Sequence, residues 1–165
     1  MHDQREQYRQ FLFRPTSALA ALFILVLSGS TISRNAIWQD EEHFHADAIR
    51  KSPGKARVYY NAGVYYHDID DLDRAEEYYL KSTQLNMEYR DVHGGALYNL
   101  GVIYAKQGKI DRSIEAFSGA IDIDPGDAAA YYKRGILLHI IGQADLARED
   151  IERARQLDPD VDRIP

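Results

Sequence analysis

The chain has 165 residues, 45% of them apolar, no cysteine and a formal charge of −6. That length is one ordinary domain, and the absence of thiols excludes disulfides, cysteine nucleophiles and cysteine-ligated zinc. From residue 56 onward 13 Lys/Arg stand against 20 Asp/Glu, a balance that argues against nucleic acid and for protein partners.

Residues 1–15 form a polar tail in which Arg5, Arg9 and Arg14 face only Asp3 and Glu6. Residues 16–33 carry no charge, and the run from Ala18 to Leu27 is unbroken apolar, which predicts one transmembrane helix. Three arginines precede this span, whereas Arg34 alone follows closely before Asp40, Glu41 and Glu42. The positive-inside rule therefore predicts a cytoplasmic N-terminus, with the rest on the extracytoplasmic side of a cell (inner) membrane. Ser28-Gly29-Ser30 has the spacing of a signal-peptidase site. The uncharged stretch continues through Ile32 and Ser33, which favours an uncut single-pass anchor, and either outcome places the remainder on the same side.

In residues 34–55 a helix is predicted from Trp38 to Lys51, with Phe44, Ala48 and Ile49 on one face, ended by Pro53-Gly54. Trp38 is expected at the membrane surface, where tryptophan is common. His43 and His45 are two apart and so point to different sides of a helix, unsuited to sharing a metal.

Beyond residue 55 one pattern recurs. Leu97, Gly101, Tyr104, Phe117, Ala120 and Pro125, with Leu100 beside Gly101, are followed 34 residues later by Tyr131, Gly135, Leu138, Ile151, Ala154 and Pro159. A looser copy, Tyr59, Ala62, Gly63, Tyr66, Ala75, Tyr79 and Ser82, lies 38 residues before the middle one. Each unit predicts two helices: a glycine on the first lets the second approach closely, Gly108 and Gly142 make the turn between them, and a proline follows the second. The four extra residues near 86–93 either lengthen a helix by about one turn or form a loop. Asp68-x-Asp70-Asp71-x-Asp73 lies at the first such turn. It lacks the glycine and distal glutamate of a calcium loop, and acidic residues favour helix starts.

With its period of 34 and these signature positions, the chain resembles the tetratricopeptide repeat (TPR) family. The resemblance implies an all-α TPR α-solenoid of three repeats, 56–161 (56–93, 94–127 and 128–161), with a short tail at 162–165 and one N-terminal transmembrane helix. Ala48, Ile49 and Pro53 align with Ala120, Ile121 and Pro125, so residues 34–55 are expected to be a half repeat capping the first full one. In the last repeat Asp150 and Arg155 stand where Tyr78 and Ala116, and Thr83 and Ile121, stand before them; Arg148 replaces Glu76 and Ile114. A water-facing end helix that closes the stack is expected from these charges.

The family's inner surface is lined by the first helices. Carried over in register, it implies a partner-binding groove of Arg57, Tyr60, Asn61, Val64 and His67, then Tyr98, Asn99, Val102 and Lys106, then Tyr132, Lys133, Ile136 and His139. The tyrosines offer area and a polar tip for a peptide, and Asn61, Asn99 and Lys133 can bond its backbone. The same rows could instead pack neighbouring helices. Only Asn99 and Lys133 match the family's two-carboxylate clamp, so chaperone C-termini are not the expected ligand.

A second resemblance covers residues 16–64. Arg34-Asn-Ala-Ile-Trp38, Arg50-Lys-Ser-Pro53-Gly-Lys-Ala-Arg57 and Asn61-Ala-Gly63 are similar to the last membrane helix and repeat-tail junction of bacterial protein O-mannosyltransferase-like membrane proteins. With one span upstream, no catalytic loop of that class is present. No nucleophile, base and carboxylate set recurs in the chain. The expected function is that of a membrane-anchored interaction or scaffolding module, not an enzyme, with no cofactor, no metal and a protein or peptide partner. The alternative is a detached tail of a membrane glycosyltransferase system.

Overall fold

The computed structural model describes residues 41–85 and 90–163, and the regular structure among them is entirely helical. Residues 41–51 are helical (α1). They are followed by Ala56–Asp68 (α2), Leu72–Gln84 (α3), Arg90–Lys106 (α4), Ile110–Ile123 (α5), Ala128–Ile140 (α6), Ala144–Leu157 (α7) and a 3-10 turn at Val161–Arg163. No helix among the described residues is long and apolar enough to cross a membrane. The expected tail at 1–15 and span at 16–33 lie outside them, as does Trp38.

Two units divide the chain, Met1–Ala46 and Asp47–Pro165. In the first, Phe44 packs edge-on to His45 at 5.4 Å between ring centroids and is 67% exposed. Of the expected capping face, only Ala48 and Ile49 are partly shielded from solvent.

The second unit is three helical hairpins, α2–α3, α4–α5 and α6–α7, with α3 packed on α4 and α5 on α6. What lets each hairpin close is the glycine of its first helix. A methyl group at Gly63 would come within 2.7 Å of the Tyr79 ring, one at Gly101 within 2.8 Å of Phe117, and one at Gly135 within 2.9 Å of Ile151. Rings and branched chains of the second helix thus lie directly on the backbone of the first. Two hydroxyls on second helices reinforce this seam: Ser82 donates to the Ala56 carbonyl at 3.1 Å and Ser113 to the Gly101 carbonyl at 2.7 Å. Burying Phe117 alone, 1% exposed, contributes about 1.5–3 kcal/mol.

The hairpin turns are three copies of one hydrogen-bond motif. The backbone N–H groups of Asp71, Lys109 and Gln143 donate to the carbonyls of Tyr66, Tyr104 and Leu138 at 2.8–2.9 Å, the six-to-one bond of a left-handed helix cap. The residue before each donor has positive φ, +72° at Gly108 and +82° at Gly142, but in the first turn it is Asp70 at +61°. Asp71 then caps α3, its carboxylate accepting from the Arg74 backbone N–H at 3.1 Å.

Of the stretch near 86–93 that holds the four extra residues, the described part, 90–93, is helical, and residues 86–89 lie outside the described residues. In register with α6, α4 would begin at residue 94, yet it starts at Arg90, so residues 90–93 add one turn to the second repeat's first helix. The turn is held from inside: Val92 and His93 are 3% and 2% exposed, and His93 Nε2 lies 2.9 Å from the Leu85 carbonyl oxygen.

Candidate functional site

The inner-helix residues divide into those that pack and those that remain accessible. On α2, the Tyr60 ring lies 5.9 Å from that of Tyr79 and crosses Gly95 of α4, where a methyl group would meet the tyrosine hydroxyl at 3.1 Å. On α4, Tyr98 packs edge-on to Phe117 at 5.5 Å. With Val102 it lies against the core formed by Phe117, Ala120, Ile121, Ala130 and Leu137. Burial, then the charge of Asp127, push the Tyr98 hydroxyl pKa upward. Two rungs of the expected tyrosine ladder therefore serve the packing of one repeat on the next, with part of each ring still at the surface.

Polar members of the face are more open. Arg57 is exposed and bridges to Asp91 of α4 at 3.0 Å, an exposed pair worth at most about 1 kcal/mol. Asn61 and Lys106 are exposed, while Asn99 and Lys133 are half-buried. His67 sits edge-on to Tyr79 at 6.5 Å between centroids. Burial, reinforced by the charge of Lys106 and opposed by those of Asp68 and Asp70, lowers its pKa below 6.5. The buried Tyr79 hydroxyl has no hydrogen bond of good geometry. Desolvation drives its pKa far upward, with the Asn99 amide opposing the rise. In the third repeat Val64 and Val102 are succeeded by Ile136, 38% exposed; Tyr132 is half-buried and His139 is exposed.

Asp68, Asp70, Asp71 and Asp73 do not converge; among the described residues no group of three or more His, Asp or Glu is arranged to hold a metal ion.

One constellation departs from the expectation for the last helix. Asp150 does not face water: it is 5% exposed and paired bidentately with Arg134, Nε to Oδ2 at 2.7 Å and a terminal nitrogen to Oδ1 at 2.8 Å. The other terminal nitrogen of Arg134 donates to Ser118 at 2.9 Å. The reason is that Arg134 occupies the place of Leu100, so the substitutions at 134 and 150 compensate each other inside the hairpin. Reading the two positions together in register would have revealed the pair; Asp150 alone looks like a surface charge. Arg148 and Arg155 are exposed as expected, paired with Asp145 and Asp162. Above the buried pair, between α5, α6 and α7, opens a groove of about 790 Å³.

Comparison with known proteins agrees with this architecture. The TPR repeat family model matches residues 101–142, and the tetratricopeptide repeat model matches 56–88 and 128–161; together they cover more than half of the chain. Neither match extends upstream of residue 56. Photosystem I assembly protein Ycf3 of Prochlorococcus marinus is 30% identical over 110 residues, 62% of this chain. The aligned part spans 63% of that relative's length, less than two thirds. Among solved structures, MamA is 26% identical with a TM-score of 0.65 over 77% of this chain and 72% of its own. YrrB, described as a TPR protein with an unusual peptide-binding site, shares the fold at 20% identity and a TM-score of 0.61, covering 76% of this chain and 63% of its own.

Proposed function

This chain belongs to the tetratricopeptide repeat family, and on that premise we propose that it is a non-catalytic module that takes an extended segment of a partner protein along the first helices α2, α4 and α6. The observation that carries this reading is the shared register place of Asn61, Asn99 and Lys133. All three are wholly or partly exposed, on helices whose neighbouring tyrosines are occupied in packing. Side-chain amides and an ammonium can bond a peptide backbone without demanding one sequence, and Tyr132, Ile136 and the exposed edges of Tyr60 and Tyr98 supply apolar contact. The peptide site named for YrrB supports a peptide ligand on this fold. Replacing Asn61 and Lys133 together by alanine, with Asn99 kept because its amide faces the buried Tyr79 hydroxyl, is expected to reduce partner capture at least tenfold with helicity and melting unchanged. Full capture by the double variant would rule out the inner face as the binding surface.

The module is further proposed to be tethered by residues 16–33 with its repeats extracytoplasmic, on the strength of the uncharged stretch and the arginine bias. The protein should then resist carbonate extraction, and a phosphatase fused after Pro165 should be active. Release by carbonate, or a mature N-terminus at Thr31, would overturn the anchor, and an inactive fusion would overturn the topology. The glycosyltransferase-tail alternative rests on the residues of 16–64 alone and gains if a multi-span transferase copurifies with the chain.

A further inference from the structure

The groove above Arg134 and Asp150 has a filled counterpart one repeat earlier, and the comparison tells what it lacks. Between α3 and α5, Tyr104 is flanked by Lys109 and Arg112, whose charged ends lie 5.5 and 5.8 Å from its ring centre. Glu76 reaches across from α3 to Lys109 at 3.6 Å; burial, then the charge of Glu76 and its hydrogen bond from the Tyr104 hydroxyl, push the Tyr104 pKa upward. Repeat one has the same device, with Arg74 at 4.2 Å over the Tyr66 ring. In the third repeat each part is replaced: Tyr104 by Leu138, Lys109 by Gln143, Arg112 by Leu146 and, on the facing helix, Glu76 by Ile114.

The loss of this aromatic and cationic filling leaves the open space of about 790 Å³, walled by Ile114, Tyr131, Leu138 and Leu146. Leu146 is 52% exposed, beside the exposed charges of Glu149, Glu152 and Arg153 on the same helix. The floor is the buried Arg134–Asp150 pair, already neutral, while Glu149 and Glu152 outnumber Arg153 along the rim.

We propose that this outer groove is a second binding site, independent of the inner face, for a partner segment that presents a large apolar side chain beside basic residues. Such a segment restores between α5 and α7 what Tyr104, Lys109 and Arg112 supply between α3 and α5. Its ring or branched chain covers Leu138 and Leu146, and its cation meets Glu149 and Glu152. An acidic segment is disfavoured because its carboxylates would meet those of the rim.

The test uses the full chain with labelled methyl groups and a blocked pentapeptide, Lys-Phe-Leu-Arg-Lys, titrated by NMR, alongside the matched peptide Glu-Phe-Leu-Glu-Glu. The basic peptide is expected to saturate with shifts at Ile114, Leu138 and Leu146, and the acidic one to bind at least tenfold more weakly. The double variant Leu138→Tyr with Leu146→Arg rebuilds the filling of the second repeat. It is expected to lower affinity for the basic peptide at least tenfold at unchanged melting temperature, and the exposed single variant Leu146→Arg, which leaves the buried position intact, to lower it measurably by itself. Equal binding of the two peptides, shifts confined to the inner helices, or unaltered binding by both variants would overturn the proposal. So would concentration-dependent self-association abolished by Leu146→Arg, which would make a second copy of the chain the occupant.

Discussion

Asp150 shows how a single side chain is misread when its partner is overlooked. A carboxylate at 5% exposure persists because Arg134 meets both its oxygens, and removing one member leaves the other buried and unpaired. Arg134→Ala is therefore expected to destabilise by about 3–5 kcal/mol in urea denaturation. The double variant Arg134→Leu with Asp150→Ala, which installs the residues of the second repeat, should recover most of that or exceed wild type. A double variant as unstable as the single one would mean that the pair is not the source of the loss. At Asp70 the backbone adopts φ +61°, a conformation that glycine holds in the other two turns at no steric cost. Asp70→Gly should stabilise by about 0.5–1 kcal/mol, read as a higher urea midpoint at constant slope. His67 adds a pH term. Its folded pKa is depressed by burial and by Lys106, so the unfolded chain takes up the proton first as pH falls. The stability it contributes is complete above the unfolded value of 6.5 and declines as pH drops through the folded value. His67→Gln should flatten the pH dependence of the melting temperature below pH 6.5, and an unchanged slope would assign that dependence elsewhere.

At the level of the element, the hairpins were legible because their cause is local and periodic: a glycine opposite a large residue, a turn glycine, then a proline. Gly101→Ala would force the Phe117 ring aside from a contact of 2.8 Å and should cost about 1–3 kcal/mol in chemical denaturation; a neutral result would mean that the seam between α4 and α5 yields easily. The four inserted residues near 86–93 were ambiguous because four residues suit a helical turn or a loop equally well. What decides for helix is tertiary, the burial of Val92 and His93 and the bond from His93 to the Leu85 carbonyl oxygen. Of the candidate face, register alone put Asn61, Asn99 and Lys133 at equivalent places on the first helices. It could not separate surface from core for Tyr60 and Tyr98, since an amphipathic ring suits both and only the neighbours Gly95 and Phe117 settle it. By the same token Tyr98→Ala is expected to lower stability, and Tyr132 is the cleaner probe of binding.

Across the molecule, three stacked hairpins present one row of first helices and one row of second helices, and the account assigns partner recognition primarily to the first row. Its charges are mostly basic, from Arg57, Arg90, Lys106, Lys133 and Arg134 against Asp68 and Asp91, within a chain of net charge −6. The second row carries the acidic excess. Site-specific photocrosslinking in cells tests this division most directly, with a photoreactive phenylalanine placed singly at Asn61, Asn99 and Lys133 on the first helices and at Glu77 and Glu115 on the second. A discrete common adduct is expected from the three first-helix positions and none from the other two. Adducts arising from Glu77 and Glu115 while Asn61, Asn99 and Lys133 stay unreacted would contradict it.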